Sequence, residues 1–406
     1  MFHPTKALPL AEFVVMLAFM VSIVAMATDI MLPALALIGE DLRVANPNDT
    51  QLIVSSLFVG FAIGQLIVGP LSDTYGRRPL ILFGYVIFSV GCILSIVATD
   101  LTVMLIGRFL QGIGAAAPRV VGTSLVRDGY AGREMARIMS IIMAVFILVP
   151  AIAPSIGQGL IFVLPWEFTF VVLLAMAVVA ASWFGTRQPE TLAVENRRPL
   201  SVSNLLAGCA EILSMRTVLG YTIAMGCVFG AFLSYLSASR QVFQDALNAG
   251  EMFAIYFGLA SLAIGAASVL NSLLVMRLGM RLLTQSALVA LVLLSGLFFA
   301  AFHALDGQPS VALFMTWQLI AFFCVGLLFG NLNALAMEPL GKMAGLGAAL
   351  VGSISTLISL PFGWLIGRMF DGTVLPLVGG FCLLGLAALT AACWTERALP
   401  FRFAHR

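Results

Sequence analysis

The sequence predicts an all-α membrane protein with twelve transmembrane helices in two pseudo-symmetric groups of six. Three observations carry that prediction. First, 61% of the 406 residues are hydrophobic and only 10% are charged, whereas a soluble domain carries roughly 25% charge. Second, apolar runs alternate with polar breaks at a period that fits about a dozen crossings, each needing about 20 residues at 1.5 Å rise. Third, a short basic segment in one half returns 203 residues later in the other, as two parallel six-span repeats require.

The first six runs lie at 11–38, 51–72, 79–98, 102–126, 136–161 and 167–185. The second six lie at 217–240, 252–275, 282–303, 311–336, 344–369 and 373–394. Each is closed by charged or Pro/Gly-rich residues that the bilayer core excludes. Between the groups, 186–216 is the longest polar stretch, with Arg187, Pro189, Glu190, Glu195, Arg197, Arg198 and Pro199. The expected organisation is an N-terminal six-helix bundle over 1–185, a cytoplasmic linker over 186–216 and a C-terminal six-helix bundle over 217–406. Within the linker, Leu205, Leu206, Cys209, Ile212 and Leu213 recur at helical spacing. That spacing fits either a short interfacial helix or a plain connector.

Orientation follows from the basic residues. With the N-terminus inside, sixteen Lys and Arg fall on cytoplasmic segments, among them Lys6, Arg77, Arg78, Arg127, Arg133, Arg198, Arg277, Arg281, Lys342, Arg402 and Arg406. Only Arg43, Arg240 and Arg368 fall outside. The positive-inside rule therefore puts both termini in the cytoplasm. The first run outlasts a signal peptide and contains Asp29, so it reads as a retained span. A net charge of +2 gives no nucleic-acid signal. Six cysteines show no C-x-x-C spacing, and His3, His303 and His405 are scattered, so neither a metal site nor a nucleophile-base pair is expected. The chain reads as a non-enzyme without a cofactor.

Three charges lie well inside apolar runs: Asp29, Arg108 and Arg119. A charge at mid-bilayer costs roughly 2.5–3.5 kcal/mol on insertion scales and is a functional candidate by default. At helical rise, Asp29 lies about 13 Å and Arg108 about 9 Å from the outer ends of their spans, with Arg119 about 16 Å deeper than Arg108. Asp29 and Arg108 are thus at comparable depth, close enough to pair, and Arg119 is nearer the cytoplasm. A carboxyl in a site that alternately dries and wets can take up and release a proton. The competing reading is a structural ion pair.

The segment Gly69-Pro-Leu-Ser-Asp-Thr-Tyr-Gly-Arg-Arg-Pro79 follows the second span. Its physical parts are Pro70 to bend the span end, Gly76 for a tight turn and Asp73 to receive the free N–H groups of a helix start. Arg77 and Arg78 are expected among anionic headgroups. Its echo is Ser272-Leu-Leu-Val-Met-Arg-Leu-Gly-Met-Arg281, which aligns Gly279 with Gly76 and puts Met276 at the place of Asp73.

The Gly69–Pro79 segment resembles the signature loop of the major facilitator superfamily, and Arg108-Phe-Leu-Gln-Gly-Ile-Gly114 resembles that superfamily's fourth-span arginine motif. Thr28-Asp-Ile-Met-Leu-Pro33 is similar to its twelve-span drug/proton antiporter branch, within which bicyclomycin and chloramphenicol/florfenicol resistance exporters match best. Val126-Arg-Asp128 and Asn333-Ala-Leu-Ala-Met-Glu-Pro339 resemble the same subgroup.

The resemblance implies two bundles around a central cavity that opens to one side at a time, with protons as coupling ion. Asp29 becomes the protonated or substrate-linked carboxylate and Arg108 its regulator, with Arg119 as a further coupling candidate. Gly69, Asp73, Gly76, Arg77 and Arg78 become a cytoplasmic gating latch. Pro150, Pro154 and Gly157 in span 5 correspond to the antiporter motif, although Ala153 and Gln158 stand where glycine is usual. Candidate cavity-lining residues are Phe58, Phe61, Gln158, Phe232, Tyr235, Tyr256, Asn331 and Asn333, with Gln65, Asn271, Gln318 and Phe257 alongside. Few polar anchors in an apolar wall suit a lipophilic, drug-sized molecule. The expected function is proton-coupled drug efflux across a bacterial inner membrane by a monomer, contacting only cargo and lipid. The alternative is export or import of a small metabolite, amino acid or short peptide by the same fold.

Overall fold

The computed structural model describes residues 8–130, 132–197 and 200–397. His3, Lys6, Arg198, Arg402, His405 and Arg406 lie outside them. The described residues form helices and connecting turns with no strand. Twelve segments are long and apolar enough to cross a membrane, and they fall into two compact units, Met1–Leu205 and Leu206–Arg406.

In the first unit, α1 (Leu10–Asp29), a 3-10 turn (Leu32–Ala34) and α2 (Leu35–Asp41) make one broken span. Four spans follow as α3 (Leu52–Tyr75), α4 (Arg77–Ile96), α5 (Leu101–Gly129) and α6 (Gly132–Val163), and α7 (Phe168–Arg187) closes the unit. The division between units falls inside α8 (Val202–Ser214), so the linker does contain a helix. Ile212 on that helix is buried, and Gly208 lies against Leu346. The second unit comprises α9 (Arg216–Gln241), which runs on into a π-turn (Val242–Ala246), then α10 (Phe253–Leu278), α11 (Met280–His303) and α12 (Val311–Met337). It ends with α13 (Ala344–Arg368) and α14 (Leu375–Glu396).

Local chemistry sets several of these limits. Asp100 caps α5 by accepting the Val103 N–H, and Ser310 caps α12 by accepting the Leu313 N–H. Pro33 has no N–H to continue the α1 ladder, so the first span breaks just past Asp29. Pro70 by contrast sits inside α3, which continues to Tyr75.

Small residues let the central helices approach backbone to backbone, which replaces a hydrophobic driving force inside lipid. A Cβ on Gly112 of α5 would fall 2.0 Å from the Leu57 carbonyl oxygen of α3, and one on Gly60 of α3 would fall 2.0 Å from that of Phe109. The neighbouring face of α5 meets α4 in the same way, where a Cβ on Gly114 would lie 2.4 Å from the Gly84 oxygen. Polar clamps fix both ends of the unit. Glu12 accepts two bonds of 2.8 Å from Arg187 and one of 3.2 Å from Trp183. Asp41 accepts from the Trp166 indole at 3.1 Å.

Candidate functional site

Asp29 is the last residue of α1 and only 3% exposed. Its carboxylate makes no hydrogen bond or ion pair among the described residues. The expected Asp29–Arg108 ion pair does not form, and the reason lies in the broken helix. A helix end leaves its last carbonyls without intrahelical donors. The Ala27 carbonyl accepts from Arg108 Nη2 at 2.9 Å instead. Arg108 Nε donates to the Ile53 carbonyl at 3.2 Å and Nη1 to Gln111 Oε1 at 2.6 Å. Gln111 in turn donates to Ser95 Oγ at 3.1 Å, and Ser95 to the Gly91 carbonyl at 3.0 Å. Arg108 is fully buried and lies 5.8 Å from the centre of the Phe170 ring. Three helices, α1, α3 and α5, thus meet on one guanidinium, two residues from Asp29.

Arg119 is elsewhere. It lies over the Phe146 ring at 4.8 Å, with Leu17 and Val21 of α1 and Met139 and Ile142 of α6 around it. Val21 is eight residues before Asp29, about 12 Å along the helix. Arg108 and not Arg119 is the arginine at the α1 break. Gly157 presses on that break from α6, since a Cβ there would fall 1.9 Å from the Ile30 carbonyl oxygen. Pro154 is buried and Pro150 half-buried on the same helix, with Gln158 half-exposed beside them.

At the basic end of the first unit the chain turns between α3 and α4 on Gly76, whose φ of +102° favours a residue without a side chain. Gly69 has open space around it. Arg77 is 4% and Arg78 8% exposed, so both are enclosed by protein and not solvated among headgroups. Arg77 donates to Asp73 at 2.5 Å, to Ser72 at 2.6 Å and to Asp128 at 3.1 Å. Arg78 donates to the Gly185 carbonyl at the end of α7. Asp73 does not cap α4 as expected, because Arg77 occupies it. Glu190 receives those N–H groups instead.

The second unit repeats the device with other residues. Gly279 turns at φ +78°. Met276, at the place of Asp73, is exposed. Arg281 donates to Glu338 at the end of α12 (2.8 Å) and to Glu396 at the end of α14 (3.1 Å), and Glu396 also accepts the Tyr221 hydroxyl.

The candidate cavity residues divide by exposure. Phe58 and Tyr235 are buried, and Tyr235 packs edge-on to Phe322 at 4.7 Å. Asn331 is spent on Asn271 through a reciprocal pair of bonds at 2.8 and 3.1 Å. Tyr235 and Asn331 thus already have ring and amide partners inside the helix contacts. Phe61, Phe232 and Tyr256 are half-exposed and Asn333 is exposed. Sequence reasoning missed Phe229 and Phe329, which are half-exposed and gather around Phe232 with centroids 5.7–6.2 Å apart. Phe229 lies three residues before Phe232 on one helix face, a spacing visible in the sequence. No group of three or more potential metal ligands occurs among the described residues.

Comparison with known proteins agrees in fold and family. The family profile described as the Major Facilitator Superfamily matches residues 17–359. A bicyclomycin resistance protein homolog of Haemophilus influenzae is 30% identical over 404 residues, covering 96% of this chain and 98% of that one. The chloramphenicol resistance protein CraA of Acinetobacter baumannii is 25% identical over 300 residues, covering 73% and 68%. Among solved structures, a D-xylose-proton symporter superposes with a TM-score of 0.76 over 97% of this chain and 99% of that one, at 14% identity.

Proposed function

The chain belongs to the Major Facilitator Superfamily and is a multi-pass membrane transporter, and on that premise we propose that it exports small lipophilic drugs from a bacterial cell in exchange for protons. The observation that carries the reading is the buried Asp29 carboxyl at the α1 break, without a salt-bridge partner among the described residues while Arg108 is held on the Ala27 carbonyl, two residues before Asp29, and on the Ile53 carbonyl of α3. A carboxylate locked to an arginine would be tied to its charged form, whereas one held apart is free to exchange a proton.

In this reading a proton from outside reaches Asp29 and cargo is displaced outward. Release of that proton to the cytoplasm readies the carboxylate for the next cargo. Proton and cargo need only weaken each other's binding for exchange to be coupled. The half-exposed rings of Phe229 and Phe232, nearly parallel, with Phe329 edge-on to both, offer an apolar aromatic cluster for cargo, consistent with a phenicol- or bicyclomycin-like molecule and with the relatives' resistance names. The chain works as a monomer in the inner membrane, with both termini cytoplasmic and no cofactor.

The test is drug resistance in a bacterial host stripped of its own exporters. Expression of the wild-type chain is expected to raise the tolerated chloramphenicol or bicyclomycin concentration severalfold. Asp29→Asn is expected to return it to the empty-vector level at equal membrane abundance. Undiminished resistance in that variant would contradict the assignment.

A further inference from the structure

We infer that Glu190, in the segment joining the two units, is a positioning residue that fastens that segment to the Gly76 turn and its arginines, so that turn and linker move together during transport; the inference rests on the transport reading above. A helix start leaves its first N–H groups without partners. Gly76 has no side chain to supply one, and the Asp73 carboxylate is held by Arg77. Glu190 fills the gap from 112 residues away. Its Oε1 accepts the Arg77 N–H at 2.9 Å and its Oε2 the Arg78 N–H at 3.0 Å. The same Oε1 accepts the N–H groups of Thr191 and Leu192, each at 3.0 Å. One carboxylate therefore binds two stretches of chain.

A second contact points the same way. The Thr191 hydroxyl donates to Asp128 Oδ2 at 3.2 Å, the oxygen that also receives Arg77 Nε. The turn is shaped to the clasp, because a Cβ on Gly76 would fall 2.6 Å from Glu190 Oε2. The matching turn of the second unit sets the contrast. Gly279 has the same kind of backbone, yet nothing lies within 4 Å of its Cβ position, and among the described residues no carboxylate receives the first N–H groups of α11. The turn by itself does not need a clasp. Here one residue engages both partners, its guanidinium on Asp73 and Asp128 and its backbone N–H on Glu190, so a shift of the turn that breaks the ion pairs also pulls on the linker. By linkage, freeing the linker must loosen the ion pairs in return.

Hydrogen exchange on the full-length protein in lipid nanodiscs tests the coupling without cargo or gradient. Asp73→Asn weakens the hold on Arg77 and touches no linker residue. It is expected to speed exchange at residues 190–192 roughly fivefold or more, since the segment opens locally once its anchor moves. Glu190→Ala is expected to speed exchange at both 77–78 and 190–192, and Glu190→Gln less, because its amide oxygen still accepts. Glu195→Ala, on an exposed turn of the same segment, should change neither. Unchanged protection across α5 serves as the folding control. In resistance assays with chloramphenicol, Glu190→Ala should lower export at equal abundance and equal drug binding. Unaltered linker exchange in Asp73→Asn, or full export by Glu190→Ala, overturns the inference. A wild-type chain that exports no chloramphenicol would count against the drug reading instead, and the exchange experiment would still decide the coupling.

Discussion

Among the described residues Arg108 meets no carboxylate, yet it is fully enclosed, and its charge is answered by two backbone carbonyls and one side-chain amide. The fork geometry of a guanidinium reaches acceptors on α1, α3 and α5 at once, which a single ammonium cannot do. Arg108→Lys keeps the charge but abandons at least one carbonyl. It is expected to cut transport about tenfold or more, equivalent to about 1.4 kcal/mol of lost stabilisation, measured as initial export rate at equal abundance. Wild-type rates would mean that charge alone suffices. The identities of Asp29 and Arg108 were legible in the sequence because charges inside apolar runs stand out. Their separation was not, because it depends on which carbonyls the α1 break leaves open.

The elements are held by close approach, and one of the tightest backbone contacts lies at the break in the first span. Gly157 of α6 meets the Ile30 carbonyl without room for a methyl group. Gly157→Ala is expected to cost about 1–3 kcal/mol through overpacking and to appear as a lowered unfolding temperature. Gly69→Ala, in open space, should leave the unfolding temperature and export unchanged. Gly76→Ala should impair both, since it meets Glu190 and a strained backbone. Equal effects at Gly69 and Gly76 would show that the loop is read as a motif and not as a shape. Helix existence and order followed from apolar run length, and Gly76 from its place in a turn. The capping of α4 did not, because its partner is distant in the chain and only folding brings it near. The same holds for the Asn271–Asn331 pair, two amides 60 residues apart in the chain that spend their hydrogen bonds on each other.

At the scale of the molecule, each unit carries an arginine latch at its basic end, but the two are not equal. Arg77 is buried at 4% exposure, whereas Arg281 is 33% exposed. Arg77→Gln breaks the bonds that an enclosed guanidinium makes to Asp73, Ser72 and Asp128, and hydrogen bonds of a charged group contribute about 1.5–3 kcal/mol each, while a partly exposed pair contributes about 1 kcal/mol or less. Arg77→Gln should therefore lower the unfolding temperature far more than Arg281→Gln, as measured by thermal unfolding in detergent. Similar losses would mean that burial does not govern the latches. The repeat itself was legible from Gly76 and Gly279 in equivalent places. The substitution of Glu338 and Glu396 for the missing Asp73 counterpart was not, because those acids sit at the ends of helices that meet only in the fold.

Proton movement driven by cargo is the most direct measure of exchange at Asp29. Wild-type and Asp29→Asn proteins would be reconstituted in liposomes loaded with a pH-sensitive dye and pulsed with chloramphenicol. Proton flux that requires both the drug and Asp29 is the predicted result. Equal flux through Asp29→Asn, or no flux from a wild-type protein that still binds the drug, would contradict proton-coupled export through this carboxylate.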